Sequence, residues 1–481
     1  MREENFFSIK NKIIGGVFAL TTRTLILQII AFISTFILTV LLTPSVFGIF
    51  FIVSAIISFL SYFSDIGLAA ALIQKKDEPS DDELKTVFTI QQILVGSLII
   101  LVYFFSPYLI RFYQIEGGGL FLLRALLVSF FLSSLKTIPS VLMERKLEFG
   151  LLIIPQIAET LVFYLVAIIM AYFGMGVVSF AWAALFRGLV GLILIYLIYP
   201  WKIKIGISKP VIKHLLTFGI PFQVNSILAL VKDDLMTIFL GKILPLSQIG
   251  YIGWAKKWAE APLRLIMDNI IKVTFPAYSR LQQNKKILGI ALGKSLFFLS
   301  VFIFPAVIFL VIFIKPMIAI IPKYQKWEPA LISFYLFCFS SVMAAFSSPL
   351  INALNALGRI KTTLKIMVLW TVMTWLITPI FVLLFGFNGV ALSLALISVT
   401  AIIPVVITRK LVYFPIIKSI FKPFISSIVV LLFMIFLLLM GGKPLMVFFV
   451  LITGIIIYLL FIVIWMKDEI RGYLPKFLTK K

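Results

Sequence analysis

Long apolar runs tile the chain almost end to end, separated by short polar connections, and none shows the alternating ten-residue pattern of a barrel strand. Apolar runs of roughly 20 residues satisfy their own backbone polar groups in hydrocarbon as helices. The pattern therefore predicts about 14 transmembrane helices, at about 13–42, 46–74, 85–106, 118–141, 150–173, 176–200, 212–241, 247–281, 287–314, 329–355, 360–385, 389–412, 417–440 and 444–466. The first run, Ile13 to Leu42, is too long for a signal-peptide core and lacks a small-residue cleavage site, so it is expected to stay as a first helix.

Composition agrees with that solvent. Residues are 62% hydrophobic and 13% charged, and the mean hydropathy is +1.14. A chain of 481 residues cannot hide so much apolar surface in a soluble core. Cys338 lies in an apolar run and His214 in a basic loop, a usage that excludes disulfide frameworks and Cys/His metal clusters, and no cofactor is expected.

Basic loop residues fall on one side: Lys75, Lys76, Lys85, Arg145, Lys146, Lys202, Lys204, Lys209, Lys213, Lys285, Lys286, Arg359, Lys361, Arg409, Lys410 and Lys418. By the positive-inside rule that side is cytoplasmic. The opposite loops hold Arg111, Lys242, Lys443, Lys315, Lys323 and Lys326, while the turns near Thr43, Gly174 and Gly386 have no basic residue. Both termini then fall inside, and the tail carries Lys467, Arg471, Lys476, Lys480 and Lys481. Most of the net charge of +24 reflects orientation and attraction to anionic lipid headgroups; nucleic acid is not an expected partner.

Two echoes divide the bundle. Leu42, Pro44, Ser45, Phe47 and Gly48 match Leu244, Pro245, Ser247, Ile249 and Gly250, and the turn from Phe173 to Val177 matches the turn from Phe385 to Val390, one residue longer. The division expected is a lobe at 1–205, a second parallel lobe at 206–414, and two further helices with a cytoplasmic tail at 415–481. Chance recurrence of Gly- and Pro-containing turns is the alternative.

Charges inside the spans are costly unless paired or hydrated, so function is sought there. The basic set is Arg23, Arg124, Lys136, Arg187, Lys232, Lys256, Lys257, Arg264, Lys272 and Lys294, against Asp65, Glu159, Asp233, Asp234, Glu260 and Asp268. Positive charge is in excess. Lys256, Glu260, Arg264, Asp268 and Lys272 recur every fourth residue with alternating sign and form one slanting stripe on the eighth helix. The stripe either borders a water-filled cavity or forms an ion-pair seam between helices. Asp233 and Asp234 fall level with Lys256 and Lys257 across a hairpin. Arg23, Asp65 and Glu159 share a depth, with Arg187 about one turn deeper. The acids either pair structurally or take up protons during turnover. Arg124 and Arg187 lack partners of matching depth on their own helices and are candidates for forked hydrogen bonds to a phosphate.

The run Leu42 to Gln74, LTPSVFGIFFIVSAIISFLSYFSDIGLAAALIQ, resembles the second-helix region of bacterial polysaccharide flippases, which are oligosaccharide members of the multidrug/oligosaccharidyl-lipid/polysaccharide exporter superfamily. FGIPFQVNSILALVKDDLMTIFLGKILPLSQIGYIGWA from Phe218 and FPAYSRLQ from Phe275 agree. The nearest branch handles O-antigen, capsule, exopolysaccharide or teichuronic-acid units. The resemblance covers most of the chain and rests on diffuse helix patterns. It implies an all-α integral membrane fold of about 14 helices in two six-helix lobes plus two, alternating access and a cationic central cavity. It also implies the substrate, a polyprenyl-pyrophosphate-linked oligosaccharide crossing from the inner to the outer leaflet of the bacterial cytoplasmic membrane. Other polysaccharide-assembly membrane proteins would be possible partners.

In that reading the cationic cavity draws on Arg23, Arg124, Arg187, Lys256, Lys257, Arg264 and Lys272, and the coupling or ion-pair acids are Asp65, Glu159, Asp233, Asp234, Glu260 and Asp268. Pro221, Pro262, Pro276, Pro305 and Pro349 interrupt helices and could bend them for gating, although proline is ordinary in membrane helices. ATP drive is not expected: the stretch Gly289 to Ser295 has three residues between its glycines where a phosphate-cradling loop needs four. Asp77, Glu78, Asp81, Asp82 and Glu83 read as a solvated loop. A multidrug exporter would favour an acidic or aromatic pocket. A membrane transferase would want acidic or histidine-bearing outer loops and more carboxylates around Asp233 and Asp234. The basic excess argues against the first alternative, and the short, lysine-bearing outer connection from Ile314 to Trp327 argues against the second.

Overall fold

The computed structural model describes residues 2–64, 66–75, 77–146, 148–441 and 446–470; side chains at 2–21, 213–226, 229, 268–273, 276, 441, 468 and 470 are also outside the description. The described residues are mostly helical, with no strand among them. They pack as two compact units, Met1–Gly253 and Trp254–Lys481.

The first unit holds α1 (Arg2–Leu41), α2 (Pro44–Ser61), α3 (Leu68–Gln74), α4 (Asp81–Phe112), α5 (Gly119–Leu135), α6 (Thr137–Arg145), α7 (Phe149–Tyr172), α8 (Val178–Ile198), α9 (Lys209–Ile243) and the start of α10 (Leu246–Leu281). α7 lies between α1 and α8, α5 packs on α8, and α9 packs on α2, α3 and α4. The unit includes α9 because that helix packs on α2, α3 and α4.

The second unit holds the rest of α10, α11 (Lys285–Ile320), a 3-10 turn at Gln325–Ala330, α12 (Leu331–Ala356), α13 (Ile360–Phe385), α14 (Asn388–Val399), α15 (Ile402–Leu411), α16 (Ile416–Gly441), α17 (Met446–Trp465) and α18 (Lys467–Ile470). α16 packs on α11 and α17, burying Ile312, Val430, Met434, Val447 and Val450 in one cluster.

Among the described residues, 11 helices are long and apolar enough to cross a membrane, or 12 when α5 and α6, bent by 41°, count as one span. Outward surfaces on these helices are apolar: Leu383, Leu384, Leu439 and Ile464 are all exposed, as hydrocarbon contact requires. α10 is not among the 11, since Lys256, Lys257, Glu260 and Arg264 interrupt its apolar sequence.

Three expected continuous spans are broken, each for a local reason. The run 46–74 divides into α2 and α3 where Gly67 takes φ 75°, a left-handed conformation that costs glycine little. The run 118–141 bends at Lys136 and continues to Arg145. Pro139 has no N–H for the carbonyl of Leu135, and the Tyr196 hydroxyl donates to that carbonyl instead, at 3.1 Å. The run 389–412 breaks at Thr400 and Ala401, four residues ahead of Pro404, by the same loss of a donor.

The sequence echo becomes a contact within the first unit. A methyl added at Gly48 would strike the Leu246 carbonyl, and one added at Gly250 would strike the Pro44 carbonyl, so the first turns of α2 and α10 cross reciprocally on glycines. Gly289 and Gly293 have a similar purpose: they admit Tyr413 and Pro415 from the turn between α15 and α16, which accounts for the glycine spacing there.

Candidate functional site

The bend at Lys136 turns its ammonium to Glu159 on α7, Nζ to Oε1 2.6 Å. Arg187 on α8 approaches the other oxygen, Nε to Oε2 3.7 Å. Room for the carboxylate comes from Gly191, one turn beyond Arg187, where any side chain would collide with Glu159. Gly188 likewise admits Ser129 and Leu132 of α5, drawing α5 and α8 together. Lys136 and Glu159 are 13% and 11% exposed at the side chain, whereas Arg187 is 51% exposed and reaches over the Phe163 ring at 5.9 Å. One carboxylate faces two cations, which leaves one net positive charge on the accessible arm.

α10 supplies a second arrangement of the same kind within the other unit. Glu260 sits one turn from each of two cations, with Arg264 Nη2 at 2.9 Å from Oε2 and Lys256 Nζ at 4.0 Å from Oε1. Glu260 is 22% exposed at the side chain and Arg264 69%. The opposite face of α10 is buried through Trp254, Ala255, Trp258, Ala259 and Met267, and the Trp254 indole donates to the Tyr324 hydroxyl at 3.1 Å and stacks on Trp327. The buried face fixes the rotation of the helix, so Lys257 and Arg264, two turns apart, are both left accessible. Charged groups on an accessible face cost several kilocalories against lipid tails, so such a face suits water better than hydrocarbon.

The remaining candidates sit elsewhere. Arg124 lies over the Tyr103 ring, 4.4 Å from its centroid, with Nε donating to Ser106 Oγ at 3.4 Å, both on α4. Arg23 on α1 interacts with Glu144 on α6, an acid just past the expected end of its helix, and its buried Nε makes no hydrogen bond among the described residues. Asp233 is 4.0 Å from Lys232. Asp65 and the side chains of Asp268 and Lys272 lie outside the described residues, as does that of His214.

Glutamines on α4 and α7 carry buried polar atoms. Gln91 donates to Thr137 Oγ1 at 2.8 Å while its own Oε1 has no partner, Gln92 receives Ser134 Oγ at 3.1 Å with its Nε2 unpartnered, and Gln156 Oε1 is also unpartnered among the described residues. Such atoms need water or a ligand group. The acidic run near residue 80 is not a plain solvated loop. Ser80 and Glu83 form a capping box on α4, Lys75 and Lys204 bind Glu83 and Asp81, and Arg145 donates to the carbonyls of Leu72, Ile73, Lys75 and Asp77.

The sequence pattern of the polysaccharide biosynthesis protein family matches residues 37–332. Lipopolysaccharide biosynthesis protein WzxC of Escherichia coli K12 is 22% identical over 430 residues, 88% of this chain and 85% of that protein. Among solved structures, lipid II flippase MurJ in an inward closed conformation superposes with a TM-score of 0.73 at 18% identity, over 93% of this chain and 100% of MurJ. An inward-facing multidrug resistance transporter of the same exporter superfamily gives 0.61 at 17% identity, over 82% of this chain and 97% of its own. At these identities the structural likeness shows a common fold, and the family match extends over more than half of the sequence. The chain belongs to the polysaccharide biosynthesis protein family and is a multi-pass membrane protein with the fold of that exporter superfamily.

Proposed function

We propose that the protein carries a polyprenyl-pyrophosphate-linked oligosaccharide repeat unit from the inner to the outer leaflet of the bacterial cytoplasmic membrane by alternating access, for cell-surface polysaccharide assembly. The single observation that carries the anionic substrate is the pair of carboxylate-centred sites, one in each unit, each with an accessible arginine and more cations than acids. A diphosphate supplies the missing negative charge, and arginine's planar fork suits phosphate oxygens. No bond is made or broken.

In this reading α9 and α10 also cross the membrane, giving about 14 spans. α10 is 36 residues long, about 54 Å of helix, which exceeds what a bilayer requires. An even number of spans leaves both termini inside, in agreement with the basic loops. The lobes then run 1–205 and 206–414, with the last two helices as an appendage. A small-cation exporter shares the fold, but its cargo would be repelled by the basic excess on α8 and α10.

The test is transfer of a labelled polyprenyl-pyrophosphate oligosaccharide across liposomes containing Arg187→Ala or Arg264→Ala protein. Loss of one forked phosphate contact corresponds to about 1.5–3 kcal/mol, so at least one variant should slow about 10- to 100-fold with normal insertion. Unaltered transfer in both variants would end this assignment. A new covalent product would point to a transferase.

A further inference from the structure

The two sites share a construction that their substrate reading alone does not require. In each, one carboxylate is recessed between two cations, one close and one distant: 2.6 and 3.7 Å at Glu159, 2.9 and 4.0 Å at Glu260. In each, the arginine is the accessible member, and it approaches the acid through Nε of Arg187 or Nη2 of Arg264. The first site is assembled from the α5/α6 bend, α7 and α8, and the second from three successive turns of α10. An accessible pair such as Glu260 with Arg264 contributes little to folding. Its position is better explained by what arrives from the accessible side.

Resting on the flippase reading, we infer that Glu159 and Glu260 are resident counter-anions: each holds its arginine in the substrate's place when the site is empty, yields it to the diphosphate, and takes it back on release. An arginine with no counter-charge at this depth is costly while empty, and one facing diphosphate without a competitor would retain it. A monoanionic carboxylate is a weaker ligand for a guanidinium than a more highly charged diphosphate, so loading proceeds. It is strong enough to recapture the arginine, so unloading proceeds as well. The acids are positioning residues that set how long the substrate stays.

Glu260→Gln isolates the charge while keeping size and hydrogen bonding, and its partial accessibility makes folding safe. Two quantities are read with purified protein in nanodiscs and liposomes: the Kd for a polyprenyl pyrophosphate, and the maximal transfer rate of the labelled oligosaccharide-bearing form. Kd should fall about 3- to 10-fold and the maximal rate should fall by a similar factor. Glu260→Asp should restore both. A purely structural role would weaken binding and rate together, so an unchanged or higher Kd in Glu260→Gln, beside normal binding by the unaltered protein, would overturn the inference alone. Failure of the unaltered protein to bind the polyprenyl pyrophosphate would overturn the flippase reading and this inference with it. Glu159→Gln should move both quantities in the same direction, and Glu260→Gln decides if that more buried variant fails to insert.

Discussion

Glu159→Gln and Glu260→Gln remove the same charge from similar triads, yet their costs to folding should differ widely because burial differs. Lys136 and Glu159 are 13% and 11% exposed and 2.6 Å apart. Removing one partner of a buried pair costs about 3–5 kcal/mol, and residual accessibility with an Arg187 arm half in solvent places this case near the low end, about 3 kcal/mol. At Glu260 the partner Arg264 is 69% exposed, and loss of such a pair costs at most about 1 kcal/mol. In a unit of this size 1 kcal/mol lowers Tm by roughly 2–4 °C, so Glu159→Gln should fall about 6–12 °C and Glu260→Gln no more than about 4 °C. Circular-dichroism melts of detergent-purified protein at 222 nm provide the readout. Combining Lys136→Met with Glu159→Gln removes the stranded ammonium and should regain at least half of the loss. Equal shifts for the two acids, or a double variant no better than Glu159→Gln alone, would refute the electrostatic account of the first site.

Two further expectations concern packing and loop closure. Gly48→Val or Gly250→Val would force apart the crossing of α2 and α10 at backbone carbonyls that cannot yield, so each should lose about 1–3 kcal/mol of stability in the same melts, whereas Gly96→Ala, with open space around its α-carbon, should not. Arg145→Ala strips four carbonyls of one shared donor group, and the segment from Leu72 to Asp77 should then be cut several-fold faster in limited trypsin digests; cleavage at the original rate would mean that the capping box and Lys75 hold it unaided.

What was legible in the sequence follows the range of the forces involved. The extent of each long helix could be read because hydrocarbon leaves the backbone no other way to satisfy itself, a constraint written into every run of residues. The breaks at Gly67 and Pro139 could not be placed from hydropathy, because the runs continue apolar through them and only one donor or one φ angle changes. The Lys256, Glu260 and Arg264 contacts were legible for a local reason, since a spacing of four fixes neighbours within one helix whatever surrounds it. Glu159 was a different case. Its partners lie 23 residues back, on the far side of a bend, and 28 residues ahead, so pairing depended on how α7 and α8 are rotated about their axes. That rotation is set by absent side chains, at Gly188 and Gly191, a signal visible in the sequence only as two glycines among many. The same reasoning places Arg124: a helical side chain leans toward its own N-terminus, and at the first turns of α5 this direction leads to Tyr103 and Ser106 of α4. Depth along a helix, which hydropathy supplies, was therefore a fair guide to which charges are intramembrane and a poor one to which of them meet. Azimuth decides the second question, and for helices packed on small residues it is the missing atoms that encode it.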